Sequence, residues 1–339
     1  MLTPQQQGFS VVELMVALAT LSIVVLYAMQ SFTTQHQTYV VIEDVSETQQ
    51  SLRTIASLLE RDIRNAGYMV PPATAACGVD NIDAPDVLFV SDADAVLPCC
   101  SPPEPSGEAL ARSLSATLLG ATTTTSPSLG VVSLSLDKTT IDGNATYDTD
   151  ADGTNDSDFQ IGGGVIVADL ANPDRGVACG FVTGVNPGST ISANFVSVLD
   201  NAGGWPAGTD LRVVPAHGYQ IQDVAGIPRL ERDGILLAKD VEDLQFAWYY
   251  DDDGDGLVDQ PGEIRGVPGV VYDAALVDGG DLREIRFNAI SRTKGVDPRQ
   301  PDSAGAGQAT ENRDASVPGA DGHRRRVQTA TVRLRNVSL

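Results

Sequence analysis

The stretch Gly8-Phe9-Ser10-Val11-Val12-Glu13-Leu14 carries the strongest structural signal in this chain. It opens an apolar run, residues 9–32, in which Glu13 is the only side chain that is charged at neutral pH. A run of this length can span a bilayer as a helix of about 20 residues, and an unpaired acid inside hydrocarbon costs at least about 2.5 kcal/mol. The sequence therefore predicts a transmembrane helix in which Glu13 needs a compensating partner.

The polar segment in front of this helix, residues 1–8, is predicted to be a leader peptide. In an ordinary secretory signal the cleavage site follows the apolar core, whereas here the candidate site between Gly8 and Phe9 precedes it. Cleavage there leaves the helix on the mature protein, with Phe9 first and Glu13 fifth. In these features the chain resembles the type IV prepilins and the related pseudopilins. The leader departs from the family pattern because it contains no Lys or Arg.

The resemblance implies roles for three residues. In that family a membrane-embedded prepilin peptidase cuts after the glycine and methylates the new amino terminus, so Gly8 and Phe9 are the expected processing residues. Glu13 is the expected assembly residue, because its carboxylate can pair with the Phe9 amine of a neighbouring subunit when helices stack. Opposite charges attract more strongly in a low-dielectric helix bundle than in water. The alternative is an ordinary membrane anchor whose Glu13 reaches the membrane surface.

Composition limits the function classes. With 339 residues and 42% hydrophobic content, the chain can form one large domain or two small ones around a real core. Its 22 Lys and Arg against 45 Asp and Glu give a net charge of -23 at pH 7, which opposes binding to nucleic acid and to anionic membrane surfaces. The surplus carboxylates suit either cation binding or simple solubility.

An amphipathic stripe continues beyond the membrane run. It predicts one continuous helix over residues 9–66, with a transmembrane half at 9–32 and an amphipathic half at 33–67 that Gly67 ends. Residues 68–339 are predicted to form a β-rich head, with residues 295–323 as a mobile loop. The candidate strands are residues 87–90, 131–136, 165–170, 177–182, 191–198, 211–214, 218–222, 235–237, 241–250, 282–291 and 326–336. The predicted fold class is α+β, with mainly antiparallel strands.

Four further segments extend the resemblance. Residues 240–250, 282–292 and 331–336 follow the order and spacing of the last strands in PilW-type minor pilins, and residues 59–68 resemble the end of their helix. The resemblance implies a type IV pilin-like fold in which the long helix packs on the sheet. It is patchy over residues 71–216, so the first half of the head is poorly constrained.

The four cysteines, Cys77, Cys99, Cys100 and Cys179, follow the membrane run, on the side that the leader places in the oxidising periplasm. Two disulfides are therefore predicted, and four cysteines allow three pairings. A bond between the neighbours Cys99 and Cys100 would form an unusual strained ring. We favour Cys77 paired with one of these two neighbours and Cys179 paired with the other. A metal site is the weaker interpretation, because the chain has no Cys-x-x-Cys and no His near its cysteines.

Two acidic loops, residues 148–156 and residues 251–259, share the pattern D-x-D-x-D-G-x-x-D. Oxygen ligands at positions 1, 3 and 5, a glycine at 6, a carbonyl at 7 and an acid at 9 are what a calcium loop requires. The candidate ligands are Asp148, Asp150, Asp152, Thr154 and Asp156 in the first loop and Asp251, Asp253, Asp255, Leu257 and Asp259 in the second, where Thr154 and Leu257 contribute carbonyls.

Neither loop completes the EF-hand pattern, because position 12 is Phe159 in the first loop and Gly262 in the second. Asp158 or Glu263 could substitute for the missing acid, as could a group from elsewhere in the fold. Four acids in one turn repel each other unless a cation neutralises them. The sequence therefore predicts one or two bound calcium ions, and the alternative is that both loops are acidic β-turns without an ion.

No catalytic motif accompanies the three histidines, and the chain contains no G-x-S-x-G, P-loop or H-E-x-x-H pattern. We interpret His36 as a helix-surface residue, His217 as a strand-edge residue and His323 as a loop residue. Residues 324–326, three arginines, are interpreted as a solvated patch, and the aromatic residues 248–250 as core packing. The sequence predicts a protein that is not an enzyme.

The resemblance implies a minor pilin that helps to prime assembly of a type IV pilus and lies near its tip. Its implied partners are other minor and major pilins, the prepilin peptidase and the inner-membrane assembly machinery. The expected location is the inner membrane with the head in the periplasm, and then the extracellular pilus. One alternative is a minor pseudopilin of a type II secretion system. Another is a membrane-tethered calcium-dependent adhesin, for which Glu13 would be dispensable. A third is a membrane-anchored periplasmic hydrolase, but the sequence contains no catalytic constellation for it.

Overall fold

The computed structural model describes residues 10–92, 114–119, 128–141, 145–186, 188–199, 210–267, 270–274, 281–296 and 322–337. The processing residues Gly8 and Phe9, the cysteines Cys99 and Cys100, and most of the predicted 295–323 loop lie outside these residues. The chain divides into two compact units, Met1–Glu47 and Thr48–Leu339.

One continuous helix, α1, runs from Val11 to Asn65. At its start, the Ser10 amide donates a hydrogen bond to Glu13 Oε2 at 2.9 Å, and the Val12 amide donates to Ser10 Oγ at 3.3 Å. Ser10 therefore acts as the N-cap through the Val12 amide, and Glu13 accepts from the N-cap amide as the glutamate of a capping box does. Every residue from 10 to 40 is exposed. In the described part of the chain, α1 is the one helix long and apolar enough to cross a membrane, by length and composition alone.

The second unit contains the end of α1 and the hydrophobic core. Leu52, Ile55, Leu59 and Ile63 recur at helical spacing and are all buried in that core. The helix ends two residues before Gly67, whose φ of +79° is the left-handed conformation that favours glycine. The predicted helix and its glycine stop are therefore confirmed.

The strands of the described residues are β1 (Ala76–Val79), β2 (Val87–Val90), β3 (Ala116–Thr117), β4 (Gly130–Ser135), β5 (Gly164–Asp169), β6 (Val177–Asn186), β7 (Thr190–Phe195), β8 (Leu211–Val224), β9 (Ile227–Arg232), β10 (Ile235–Lys239), β11 (Val241–Tyr250), β12 (Ile264–Arg265), β13 (Leu282–Arg292) and β14 (Arg325–Arg333). Short 3-10 helices cover Pro72–Thr74, Pro173–Arg175 and Pro261–Glu263. Every described strand pair is antiparallel. The predicted α+β class, with one long helix and antiparallel sheets, is confirmed.

The strands form two sheets. The 10-stranded sheet has the order β1-β2-β8-β5-β6-β7-β4, with β3 and β9 also paired to β8 and with β10 paired to β9. The 4-stranded sheet has the order β12-β11-β13-β14. Large aromatic side chains fill the interior, and Trp248 of β11 stacks on Tyr272 with ring centroids 4.3 Å apart. The packing role predicted for the aromatic residues of β11 therefore holds for Trp248 and Tyr250, which are both buried.

The disulfide corrects the favoured cysteine pairing, since Cys77 is bonded to Cys179 and not to Cys99 or Cys100. Cys77 lies on β1 and Cys179 on β6, four places apart in the sheet order. In a flat sheet, four strand spacings of about 4.8 Å would separate these strands by about 19 Å. Their Cα atoms are 6.1 Å apart, so the sheet curls until β1 meets β6.

A buried polar cluster fastens α1 to the larger sheet. Asp62 of α1 accepts a hydrogen bond from the Tyr219 hydroxyl at 2.5 Å and pairs with Arg232 at 2.8 Å. Burial, followed by the charge of Asp62, raises the pKa of Tyr219 well above its usual value. His217 belongs to the same region and is buried inside β8, with Nδ1 2.8 Å from Asp233 Oδ2, so the strand-edge interpretation was wrong. The cavity beside His217 has a volume of about 10 Å³, which leaves no room for a substrate.

The three arginines at residues 324–326 do not form the fully solvated patch that the sequence suggested. Arg325 is not solvated, because its side chain is 5% exposed and pairs with Glu242 at 2.6 Å. His36 is exposed on α1, and His323 lies just before β14, where its Nδ1 is 2.6 Å from the Thr293 carbonyl oxygen. These two histidines occupy the positions that the sequence predicts.

Candidate metal centre

The two acidic loops lie in different parts of the second unit. Residues 148–156 belong to the connection between β4 and β5, whereas residues 251–259 follow directly after β11 and lead into β12. Their backbones bend in the same way, because positions 4 and 6 have positive φ in both. These angles are 63° at Ala151 and 92° at Gly153, and 75° at Gly254 and 84° at Gly256.

The two loops also share three hydrogen bonds from backbone amides to carboxylates. Position 1 accepts from the amide of position 6, at 2.8 Å for Asp148 and 3.0 Å for Asp251. Position 3 accepts from position 5, at 3.2 Å in both loops, and position 5 accepts from position 7, at 2.8 Å for Asp152 and 2.7 Å for Asp255. The shared sequence pattern therefore specifies one turn geometry twice.

In the second loop, three acids converge. One carboxylate oxygen from each of Asp251, Asp253 and Glu263 lies within 4.8 Å of the other two. Glu263 reaches the cluster from the 3-10 helix Pro261–Glu263, where its Oε2 accepts from the amides of Asp259 and Gln260 at 2.9 Å each. Glu263 thus takes the place of the acid that Gly262 cannot supply.

Two of these acids are buried and incompletely bonded. Asp251 is 1% exposed and Glu263 is 2% exposed. Asp251 Oδ1 and Glu263 Oε1 are closed off from solvent, and neither has a hydrogen-bond partner among the described residues. Buried carboxylate oxygens are normally hydrogen-bonded or bound to a metal, because desolvating a charge is unfavourable. The pair of oxygens is therefore the strongest indication of a ligand in this region.

Arginines from neighbouring strands compensate part of the charge. Arg283 of β13 donates to Asp251 Oδ2 from Nε at 3.0 Å and from Nη2 at 2.9 Å, and these hydrogen bonds lower the pKa of Asp251. Arg265 of β12 pairs with Asp252 at 2.6 Å and lies over the Tyr250 ring at 4.4 Å. The sequence pattern gave no signal for Arg283, because this residue lies on a strand outside the loop and reaches Asp251 only through the pairing of β11 with β13.

The remaining acids of the second loop are exposed. Asp253 Oδ2 accepts from Gln260 Nε2 at 2.6 Å, and Leu257 is 59% exposed at position 7. Desolvation, followed by the charges of Asp255, Glu263 and Asp253, raises the pKa of Asp259. The loop therefore holds more negative charge than its two arginines neutralise.

The first loop distributes its acids differently. One oxygen from each of Asp148, Asp150 and Asp152 lies within 4.8 Å of the others, but all three residues are exposed. Hydrogen bonds from Thr154 lower the pKa of Asp152, and Asp156 Oδ1 accepts from the amide and hydroxyl of Thr149 at 3.3 and 2.6 Å. Thr154, the predicted carbonyl ligand, is also exposed.

Asp158 does not join the first cluster. It is fully buried, and it accepts from the Ile141 amide at 2.5 Å and from the Thr146 hydroxyl at 3.1 Å. The substitution of Asp158 for the missing position 12, which the sequence left open, is therefore not the arrangement that the structure has. The calcium ligands predicted in this loop remain a prediction.

Comparisons with known proteins add little to this picture. No protein-family model matches the chain, and no curated protein sequence matches it. Among solved structures, the chain is similar to a type IV-like pilin from Thermus thermophilus at 10% identity, over 86% of this chain and 97% of that chain, with a TM-score of 0.28. A likeness at this score carries no argument, so the fold class rests on the helix and the sheets themselves.

Proposed function

We propose that the chain is a minor pilin that is stored in the inner membrane and then built into a type IV pilus. In this proposal the prepilin peptidase cuts between Gly8 and Phe9, and the chain assembles with other minor pilins and the major pilin near the pilus tip, where it helps to prime assembly. The observation that carries the proposal is α1, whose 55 residues change from a fully exposed apolar stretch to an amphipathic stretch with one buried face, without interruption.

The exposed stretch needs an apolar environment. Leu21, Tyr27 and Phe32 are more than half exposed, as are most large side chains between residues 11 and 32. A continuous apolar surface of this size is unstable in water and is typical of a membrane-spanning or partner-binding helix. A bilayer and a bundle of apolar helices from other pilin subunits both provide such an environment. Storage in the membrane followed by polymerisation requires both.

Glu13 favours polymerisation over permanent anchoring. Its hydrogen bond from the Ser10 amide satisfies one carboxylate oxygen, but a neutral donor leaves the net charge in place. In hydrocarbon that charge is unfavourable, so a cation from another chain would stabilise it. The amine that cleavage creates on Phe9 of an adjoining subunit has the right charge.

The test compares Glu13→Ala with Glu43→Ala in the native cell. Glu43 is an exposed carboxylate on the same helix, beyond the predicted membrane run. Both variants should reach the membrane, but Glu13→Ala should be strongly depleted from sheared surface filaments, whereas Glu43→Ala should be retained as the unchanged chain is. Quantitative immunoblotting of both fractions measures the difference.

Two results would favour the alternatives. Unchanged recovery of Glu13→Ala in filaments would contradict the pairing of Glu13 with the Phe9 amine. Calcium-dependent adhesion by a chain that never enters a filament would favour the tethered adhesin. Incorporation into the filament of a type II secretion system would favour the minor pseudopilin. Processing is tested separately, because a Gly8→Leu variant should keep residues 1–8, and mass spectrometry of the membrane fraction detects that leader.

A further inference from the structure

We propose that Asp251, Asp253 and Glu263 bind one calcium ion, which fastens the connection between β11 and β12 to the 4-stranded sheet. The proposal concerns the folded head and does not depend on the proposed role in a pilus. It assigns a site to one of the two acidic loops and not to the other.

The geometry first requires a ligand of some kind. Hydrogen bonds from the protein reach Asp251 Oδ2 and Glu263 Oε2 and leave Asp251 Oδ1 and Glu263 Oε1 buried without a partner among the described residues. Two buried carboxylates beside Asp253 repel one another. A solvating water could donate to these oxygens, but only a cation also removes the repulsion between them.

The ligand atoms then indicate the class of cation. The cluster contains carboxylate oxygens and no nitrogen or sulfur ligand, which favours a hard divalent ion over zinc or copper. Calcium binds oxygen at about 2.4 Å, so two oxygens on opposite sides of one ion are about 4.8 Å apart. One oxygen from each of the three carboxylates lies within that separation of the others, as in the first loop, so burial and not spacing distinguishes this cluster. Magnesium demands a tighter octahedron at about 2.1 Å and holds its waters more strongly.

The surrounding charges match a divalent ion. Arg283 pairs with Asp251 through Oδ2 alone and Arg265 pairs with Asp252, so the protein offsets only part of the charge of the loop. The loop's other acids, including Asp253 and Glu263, have no arginine pair of this kind among the described residues. Asp255 and the carbonyl of Leu257, at positions 5 and 7, are the nearest chain groups that could complete a shell of six to eight oxygens.

The proposed site lies between the end of β11 and the start of β12, so a bound ion would connect these two strands. Asp251 follows the last residue of β11, and Glu263 precedes the first residue of β12, which pairs back onto β11. An ion bound to both ends closes the loop between these strands, and Arg283 ties the same carboxylate to β13. Calcium should therefore stabilise the edge of the 4-stranded sheet.

The experiment uses the full-length chain in mild detergent, titrated with calcium chloride after treatment with EGTA. Binding to the folded state raises the melting temperature by mass action. We expect a calcium-dependent rise in the unchanged protein, and a calcium dissociation constant that is about tenfold higher or more in Glu263→Gln and in Asp253→Asn. Asp253 is exposed, so its variant tests the site even if Glu263→Gln folds poorly.

The matched control is Asp150→Asn, which alters position 3 of the first loop as Asp253→Asn alters position 3 of the second. It should bind calcium like the unchanged protein. Absence of any calcium-dependent rise in the unchanged protein would overturn the proposal. So would a rise that Asp150→Asn abolishes and Asp253→Asn keeps, or an equal response to magnesium chloride at the same concentration.

Discussion

The two acidic loops have the same nine-residue pattern and the same turn, yet they differ in what happens to the acid that follows. In the second loop Glu263 turns back into the cluster, whereas in the first loop Asp158 turns away into the protein. The first loop is left with three exposed carboxylates, and the second with two buried ones. The pattern D-x-D-x-D-G therefore encodes a turn, and the residues after it decide whether buried carboxylates gather beside that turn.

The physical reason lies in the elements that follow each loop. Glu263 ends a 3-10 helix, and this position lets its carboxylate accept from two amides of the preceding turn. Asp158 is drawn inward by two donors outside its loop, the Ile141 amide and the Thr146 hydroxyl. Hydrogen-bond donors determine the orientation of a buried carboxylate, because an unpaired buried charge is strongly unfavourable.

The largest effect is expected from removing Asp158. Asp158→Ala removes the acceptor of the buried Ile141 amide and of the half-buried Thr146 hydroxyl, and it should lower the free energy of unfolding by about 3 kcal/mol. Urea unfolding of the full-length chain in detergent measures this loss. The calcium response should persist, because Asp158 belongs to neither cluster.

Asp156→Ala is the control for that comparison. Asp156 lies two residues earlier, and its carboxylate accepts from the half-buried Thr149 within the same loop, so truncating this side chain should cost less than about 1 kcal/mol. Equal losses in the two variants would show that Asp158 has no special structural role. The contrast between the two loops would then need another explanation.

The sequence specified the turns and the helix because both depend on local patterns. The apolar spacing before Gly67 predicted α1 to within two residues, and the aspartate spacing predicted two equivalent turns. The partner of Asp251 could not be predicted in this way. Arg283 approaches it through the register of β11 with β13, and no local pattern records that register.

Two other features that the sequence did not predict also depend on contacts between distant parts of the chain. The sequence suggested two strands, residues 211–214 and 218–222, but β8 runs from Leu211 to Val224 without a break and includes Pro215. Pro215 is tolerated there, with its carbonyl oxygen accepting from the Ser91 hydroxyl at 2.7 Å. The Cys77–Cys179 bond was missed because it depends on the curl of the whole sheet, which brings β1 to β6.

A second prediction extends the comparison to Asp86, a buried acid whose charged neighbours among the described residues are the acids Asp80 and Asp243. Asp86 is 1% exposed and accepts from the amides of Asn81 and Phe246 at 2.8 Å each. Burial outweighs these hydrogen bonds and raises the pKa of Asp86 from 3.8 to about 8, whereas Arg283 lowers the pKa of Asp251. The protein therefore stabilises the protonated form of Asp86 and the ionised form of Asp251.

Because the folded state holds the Asp86 proton more tightly than the unfolded state, its contribution to stability is complete below about pH 4 and is lost as the pH rises through about 8. Between pH 6 and pH 9 this loss should amount to about 2 to 3 kcal/mol. Urea unfolding at both pH values measures it, with Asp86→Asn as the reference that lacks the titrating group. Parallel pH profiles for the two proteins would exclude a raised pKa.

The smallest effect concerns position 4 of each loop, where the backbones agree and the residues do not. Ala151 has a φ of 63°, a conformation that glycine adopts more readily, while the second loop has Gly254 there with a φ of 75°. Ala151→Gly should therefore stabilise the protein by about 0.5 to 1 kcal/mol, and Gly254→Ala should destabilise it by a similar amount. Urea unfolding in EGTA removes any contribution from calcium. Effects of the same sign would mean that the two turns differ. Opposite signs would leave the position of the following acid, inside the cluster for Glu263 and outside it for Asp158, as the feature that separates the loops.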